Sequence, residues 1–118
     1  MKKLALAYHN LYVMLDAGMP ILRSLDTLVS SIDGKLRAAF AAVTQQVTSG
    51  RPIADAMAEH PKIFVPMDIS IIQAADLYGN MADSLKMLSQ WYEFSNHLKN
   101  IIIVLNFSTI IMFFIFSV

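Results

Sequence analysis

The stretch Leu15-Asp16-Ala17-Gly18-Met19-Pro20-Ile21-Leu22-Arg23-Ser24-Leu25 reads as one helix ending and another beginning. Before it, Leu4, Tyr8, Leu11, Tyr12 and Leu15 recur at the spacing of a single helix face. Gly18 follows where a helix C-terminus favours a left-handed residue. Pro20 suits the first turn of the next helix, where a missing N–H leaves no intrahelical bond unmade. Ile21, Leu22, Leu25, Leu28 and Val29 then resume the helical period.

The same punctuation continues toward the C-terminus. Asp33-Gly34 separates the second helix from a third whose face is Leu36, Phe40, Val43 and Val47, and Ser49-Gly50 ends it. Pro52 opens a shorter fourth helix over Ile53 to His60, rich in Ala and Met, which Pro61 closes. Residues 61–66 form a connector. A fifth helix from Met67 carries Ile69, Ile72 and Ala75 or Asp76 on one side and stops before Gly79. Asn80 is a suitable N-cap for a sixth, with Asp83 in its first turn near the free N–H groups and the helix dipole. Its stripe is Met81, Leu85, Leu88, Trp91 and Tyr92, and no Gly or Pro occurs after Asn80. The spacing predicts an all-α fold, and the short loops predict a compact six-helix antiparallel bundle over residues 1–98.

Residues 99–118 read differently. All nine basic and all nine acidic residues lie at or before Lys99, so the nineteen residues from Asn100 to Val118 are uncharged. At about 1.5 Å per residue they reach about 28 Å, close to a hydrocarbon core of roughly 30 Å. They predict the start of a transmembrane helix that continues the sixth helix of the bundle. Asn106, Ser108, Thr109 and Ser117 are polar groups that a membrane helix holds by bonding to its own carbonyls or to a neighbouring helix. Lys99 and the basic residues before it put the N-terminal domain on the cytoplasmic side. The absence of a polar flank after Val118 predicts a longer polytopic protein of which this is the beginning. Met1-Lys2-Lys3 imitates a signal peptide, but Tyr8, His9 and Asn10 interrupt the apolar stretch too soon.

The chemistry-bearing patterns are missing. There is no cysteine, which excludes disulfides and thiol catalysis and suits a reducing compartment. No phosphate-binding loop, HExxH or GxSxG motif occurs. His9, His60 and His97 have no helical-spacing partner that closes a metal site, and Asp76 with Asp83 offers too few oxygens for a hard cation. The acidic residues read mostly as caps and solvated faces, and Trp91 and the tyrosines as core and interface anchors. A formal net charge of zero with no basic aromatic-laced run points away from nucleic acid. The reading is of a non-enzymatic chain with no catalytic residue, no metal and no cofactor.

Four stretches together carry a resemblance. Leu15 to Leu25 resembles an L-x-x-G-[VI]-P-[LI]-x-x-[AS]-L hinge, and Gly50-Arg51-Pro52-Ile53-Ala54-Asp55-Ala56-Met57 a G-x-[SP]-[LI]-x-x-A-[LM] turn. Pro61-Lys62-Ile63-Phe64-Val65-Pro66 resembles a P-x-x-F-[PS]-P connector. Ala74 to Leu85 resembles A-G-E-x-S-G-x-L-x-x-x-L, with Ala75 in place of Gly, Asp76 of Glu and Tyr78 of Ser. These are the motifs of the F domain of type II secretion, the cytoplasmic unit of the platform proteins of type II secretion and type IV pilus assembly. Each is weak alone, but their order and spacing cover the chain from about residue 4 to the membrane segment.

The resemblance implies a non-catalytic inner-membrane platform that couples a cytoplasmic assembly ATPase to a pilin or pseudopilin. It also implies contacts with other inner-membrane assembly proteins and with further copies of itself. The candidate partner-binding residues are Arg51, Lys62, Asp76, Tyr78 and Asn80, all at turns, where backbone geometry selects residues first. A different class of function, a stand-alone membrane-tethered adaptor whose bundle binds a soluble protein, also fits the composition.

Overall fold

The computed structural model describes the backbone of residues 2–117 and the side chains in that range other than those of residues 2, 96, 97 and 99–107. Six α-helices follow one another: α1 Lys2–Asp16, α2 Ile21–Ser31, α3 Gly34–Thr48, α4 Ile53–Ala58, α5 Pro66–Tyr78 and α6 Met81–Phe116. No strand occurs among the described residues. The boundaries between helices fall within three residues of the Gly and Pro positions that interrupt the apolar spacing, and α4 ends at Ala58, two residues before the expected His60. Pro20 and Pro52 stand one residue earlier than a first-turn proline, as the extended residues that precede α2 and α4. Pro66 is the proline inside a first turn. Asn80 precedes α6 as expected but makes no side-chain capping bond.

The helices alternate in direction. α1, α3 and α5 run toward one end, where residues 17–20, 49–52 and 79–80 make the turns. α2 and α6 return. The most extensive pairing is α1 against α6, and it is antiparallel: the Lys86 ammonium lies 5.5 Å from the Tyr12 ring centroid, while the Tyr8 and Tyr92 rings are 6.0 Å apart. This register brings the start of α1 level with residues 96–98, so the remainder of α6 projects past the bundle. The molecule is correspondingly elongated, 66 × 27 × 24 Å.

One apolar core joins all six helices. It includes Leu4, Tyr8 and Leu11 of α1, Leu25 and Leu28 of α2, Phe40 and Val43 of α3, Met57 of α4, Ile72 of α5, and Leu85, Leu88 and Tyr92 of α6. Phe64, from the connector, is fully buried and meets Phe40 edge to face at 5.3 Å and 82°. Full burial of each large side chain is worth about 1.5–3 kcal/mol, so the connector is pinned to the core mainly by this ring, with Ile63 packed beside it.

Trp91 departs from the expected stripe: it is 49 % exposed and leans on Phe94 on the outer face of α6. The buried face is Ser84, Leu85, Leu88, Ser89 and Tyr92 instead. That face is the one that meets α1, in the most extensive helix pairing of the bundle, and Trp91 lies off it.

α6 runs without a break to Phe116. Its last described turns, Ile110 to Phe116, expose every apolar side chain. Among the described residues no helix is long and apolar enough to cross a membrane. The span expected over 99–118 falls largely outside them, since the side chains of 99–107 and all of residue 118 are not described.

Candidate functional site

Three of the motif-bearing turns meet at the end of the bundle away from the projecting helix. They enclose a groove of about 320 Å³ whose walls come from Leu15 and Ile21, from Val47, Arg51, Pro52 and Ile53, and from Ala75, Asp76, Gly79 and Met81. The turns that form it are compact because their glycines take up left-handed backbone. At Gly79, φ is +72° and the N–H closes α5 on the Ala75 carbonyl at 2.8 Å.

Asp76 belongs to the fabric of this groove. Pro52 precedes α4 and offers no side-chain acceptor, and Asp76 supplies one from another helix: its Oδ2 accepts the Ala54 N–H at 3.3 Å. Partial desolvation raises its carboxyl above the ordinary range, opposed by that hydrogen bond. Arg51 is also engaged. Its guanidinium donates to Glu59 and to the Gln46 side-chain oxygen, and the Gln46 amide donates to Glu59, a ring that ties α3 to the end of α4. The hydrogen bond from Arg51 is the main reason the Glu59 carboxyl is held below its ordinary range. Leu77 and Tyr78, by contrast, are 78 % and 81 % exposed, in sequence between the Asp76 and Gly79 that line the groove. Asn80 is exposed beside them.

Lys62 is elsewhere. It lines a second cleft at the opposite end with Lys3, Asp33 and Lys35. Of the five residues singled out from the sequence, four therefore gather at one end and the fifth stands apart.

Deeper in the bundle lies a polar cluster centred on an acidic residue of the kind read from the sequence mostly as caps and solvated faces. Asp68 on α5 is fully buried. Tyr8 of α1 donates to its Oδ2 at 2.7 Å, and Tyr92 of α6 reaches both carboxylate oxygens at 2.9 and 2.8 Å. Desolvation raises the Asp68 carboxyl above its ordinary value, against the lowering effect of the two hydroxyls. Burial pushes both phenols up as well, the neighbouring carboxylate adding to it. The signal for burial was present: Asp68, Ile72 and Ala75 share one helical stripe, so an acid stood where the core should be.

A family model described as type II secretion system protein F matches residues 7–118, nearly the whole chain and all the turns just described. The chain belongs to that family. Among curated members, the type IV pilus assembly protein PilC of Myxococcus xanthus is 32 % identical over 88 residues, 74 % of this chain and 21 % of the relative. The type II secretion system protein F of Xanthomonas campestris is 30 % identical over 95 residues, 80 % of this chain and 24 % of the relative. PilC of Pseudomonas aeruginosa is 25 % identical over 97 residues, 81 % and 26 % respectively. The matched region thus spans about a quarter or less of each protein F relative's length.

In this protein F domain the acidic position of the fourth motif, Asp76, acts on the turn of the second motif by capping α4. Two motifs far apart in sequence are thereby one structural unit.

Proposed function

We propose that this chain is the first cytoplasmic bundle, residues 1–98, and the start of the first membrane span, residues 99–118, of an inner-membrane platform protein. Its groove end meets a cytoplasmic assembly ATPase, and the platform passes that motion to a pilin or pseudopilin. The observation that carries the reading is the placement of the three motif turns at one end of the bundle while α6 leaves from the other without a break. A force applied at the Asp76–Asn80 turn enters α6 at its first residue and travels along one rigid element. The names of the relatives, type IV pilus assembly and type II secretion proteins, support the setting.

Nothing in this role asks the bundle to break a bond. Leu77 and Tyr78 give the partner an exposed apolar contact, and the groove beside them accepts a complementary side chain. Arg51 and Asp76 shape that groove, and Asn80 completes its rim. The apolar residues 110–116, exposed all round, call for lipid or neighbouring membrane helices as their environment.

The test uses the full-length protein in its own organism. Tyr78→Asp and Leu77→Asp should leave the protein folded and in the membrane fraction, abolish co-purification with the assembly ATPase and stop fibre assembly or secretion. Normal assembly and normal ATPase recovery in both variants would sink the proposal.

A further inference from the structure

The chain's net charge of zero conceals an uneven distribution along the bundle. The groove end carries Asp16, Asp55, Glu59, Asp76 and Asp83 against Arg23 and Arg51. At the other end a cleft of about 330 Å³ brings together Lys3 at the start of α1, Lys35 at the start of α3 and Lys62 in the connector. Asp33, 3.6 Å from the Lys3 ammonium, is the acidic group on that cleft, and both side chains of this pair are more than three-quarters exposed. Leu4 and Ile63 form part of its apolar floor.

This basic end is the one from which α6 leaves the bundle. The α1 and α6 register fixed by Tyr12 with Lys86 and Tyr8 with Tyr92 puts Lys3 level with about residue 97, within a turn of the point where charge disappears from the sequence. Three lysines drawn from three separate segments therefore converge on the face of the bundle that meets whatever surrounds the apolar helix.

We propose that the Lys3, Lys35 and Lys62 cleft docks the bundle on the anionic headgroups of the membrane that α6 enters. The bundle then stands on the bilayer with its groove end held away from it. The inference rests on the reading of residues 99–118 as a membrane span. A lysine at an anionic surface is worth about 1 kcal/mol, or about fivefold in association, and the attraction is lost beyond a Debye length. Two net positive charges at the cleft therefore suffice to choose between a docked and a freely tilting bundle.

The chain contains no cysteine, so a single Ser31→Cys introduces a unique fluorophore site beside the cleft and Ser49→Cys one at the far end. The labelled full chain is placed in nanodiscs of phosphatidylcholine alone, or mixed with phosphatidylglycerol, each containing a headgroup-quencher lipid. The expected result is severalfold stronger quenching at position 31 in the anionic discs, reversed by molar salt, with position 49 unaffected. Lys3→Glu, Lys35→Glu and Lys62→Glu together should abolish the difference, whereas Arg23→Glu should not.

Equal quenching of wild-type position 31 in both lipids overturns the docking, and this comparison needs no charge variant. Inorganic phosphate reproducing the fluorescence change in neutral discs also overturns it, in favour of a soluble-anion site. Extraction of the chain from liposomes by alkaline carbonate fails the membrane reading and the docking with it. Retention of the chain with equal quenching fails the docking alone.

Discussion

The hydroxyl of Tyr92 on α6 donates to both carboxylate oxygens of Asp68 on α5, at 2.9 and 2.8 Å. Tyr8 completes the cluster from α1, so a single buried carboxylate holds together the three helices on which the direction of α6 depends. Removing the acceptor leaves two enclosed hydroxyls without a partner. Asp68→Ala should cost about 2–4 kcal/mol in denaturant unfolding. Tyr92→Phe should cost about 1–2 kcal/mol, and its effect should not add to that of Asp68→Ala because both remove the same bond.

The same carboxylate predicts a pH dependence. Its folded pKa stands above the unfolded value of about 3.9. Between those two values the folded state holds more protons than the unfolded state, so stability falls as pH rises. The Asp68 contribution is fully present below the unfolded pKa and lost as pH climbs through the folded one. Denaturant midpoints measured in parallel for wild type and Asp68→Asn should show the wild type gaining relative to the variant on acidification through that window. Asp76, also raised, is common to both proteins and cancels.

Gly79 tests the groove's backbone separately from its side chains. A Cβ there meets nothing within 4 Å, so Gly79→Ala carries only the strain of left-handed backbone, φ +72°. The expected loss is about 1–2 kcal/mol, and Gly79→Asn should lose less because Asn tolerates that region. Thermal unfolding of the two variants distinguishes this from a packing defect, which would penalise the larger Asn more.

Phe64 is the fully buried side chain of the connector between α4 and α5, with the half-buried Ile63 packed against the core beside it. Phe64→Ala should cost about 3–5 kcal/mol, and Phe64→Leu considerably less. Hydrogen exchange should show the connector and the start of α5 opening before α1 and α6 in Phe64→Leu.

Leu77 and Tyr78 are exposed on a folded surface, so their replacement by serine should change stability by no more than about 0.5 kcal/mol. In the proposed role the same substitutions weaken recovery of the assembly ATPase and reduce fibre or secretion output. A loss of function without a loss of stability, measured on one preparation, is the expected pairing.

The sequence by itself determined the helices and, to within about two residues, the limits between them. Gly18, Gly50 and Gly79 and the prolines at 20, 52 and 66 act through local backbone geometry, which does not depend on what the helix later packs against. The apolar period likewise marked Tyr8, Leu25, Phe40, Ile72 and Leu88 as core, and the order of turn motifs was enough to suggest the family. Tertiary structure alone decided what these elements bring together. It buried Asp68 between tyrosines 60 and 24 residues away, made Asp76 the cap of another helix, separated Lys62 from Arg51 by the length of the bundle, and turned Trp91 outward. Helix direction and packing set those positions, because a residue on a known helix face still has no neighbour until the facing helix and its register are fixed.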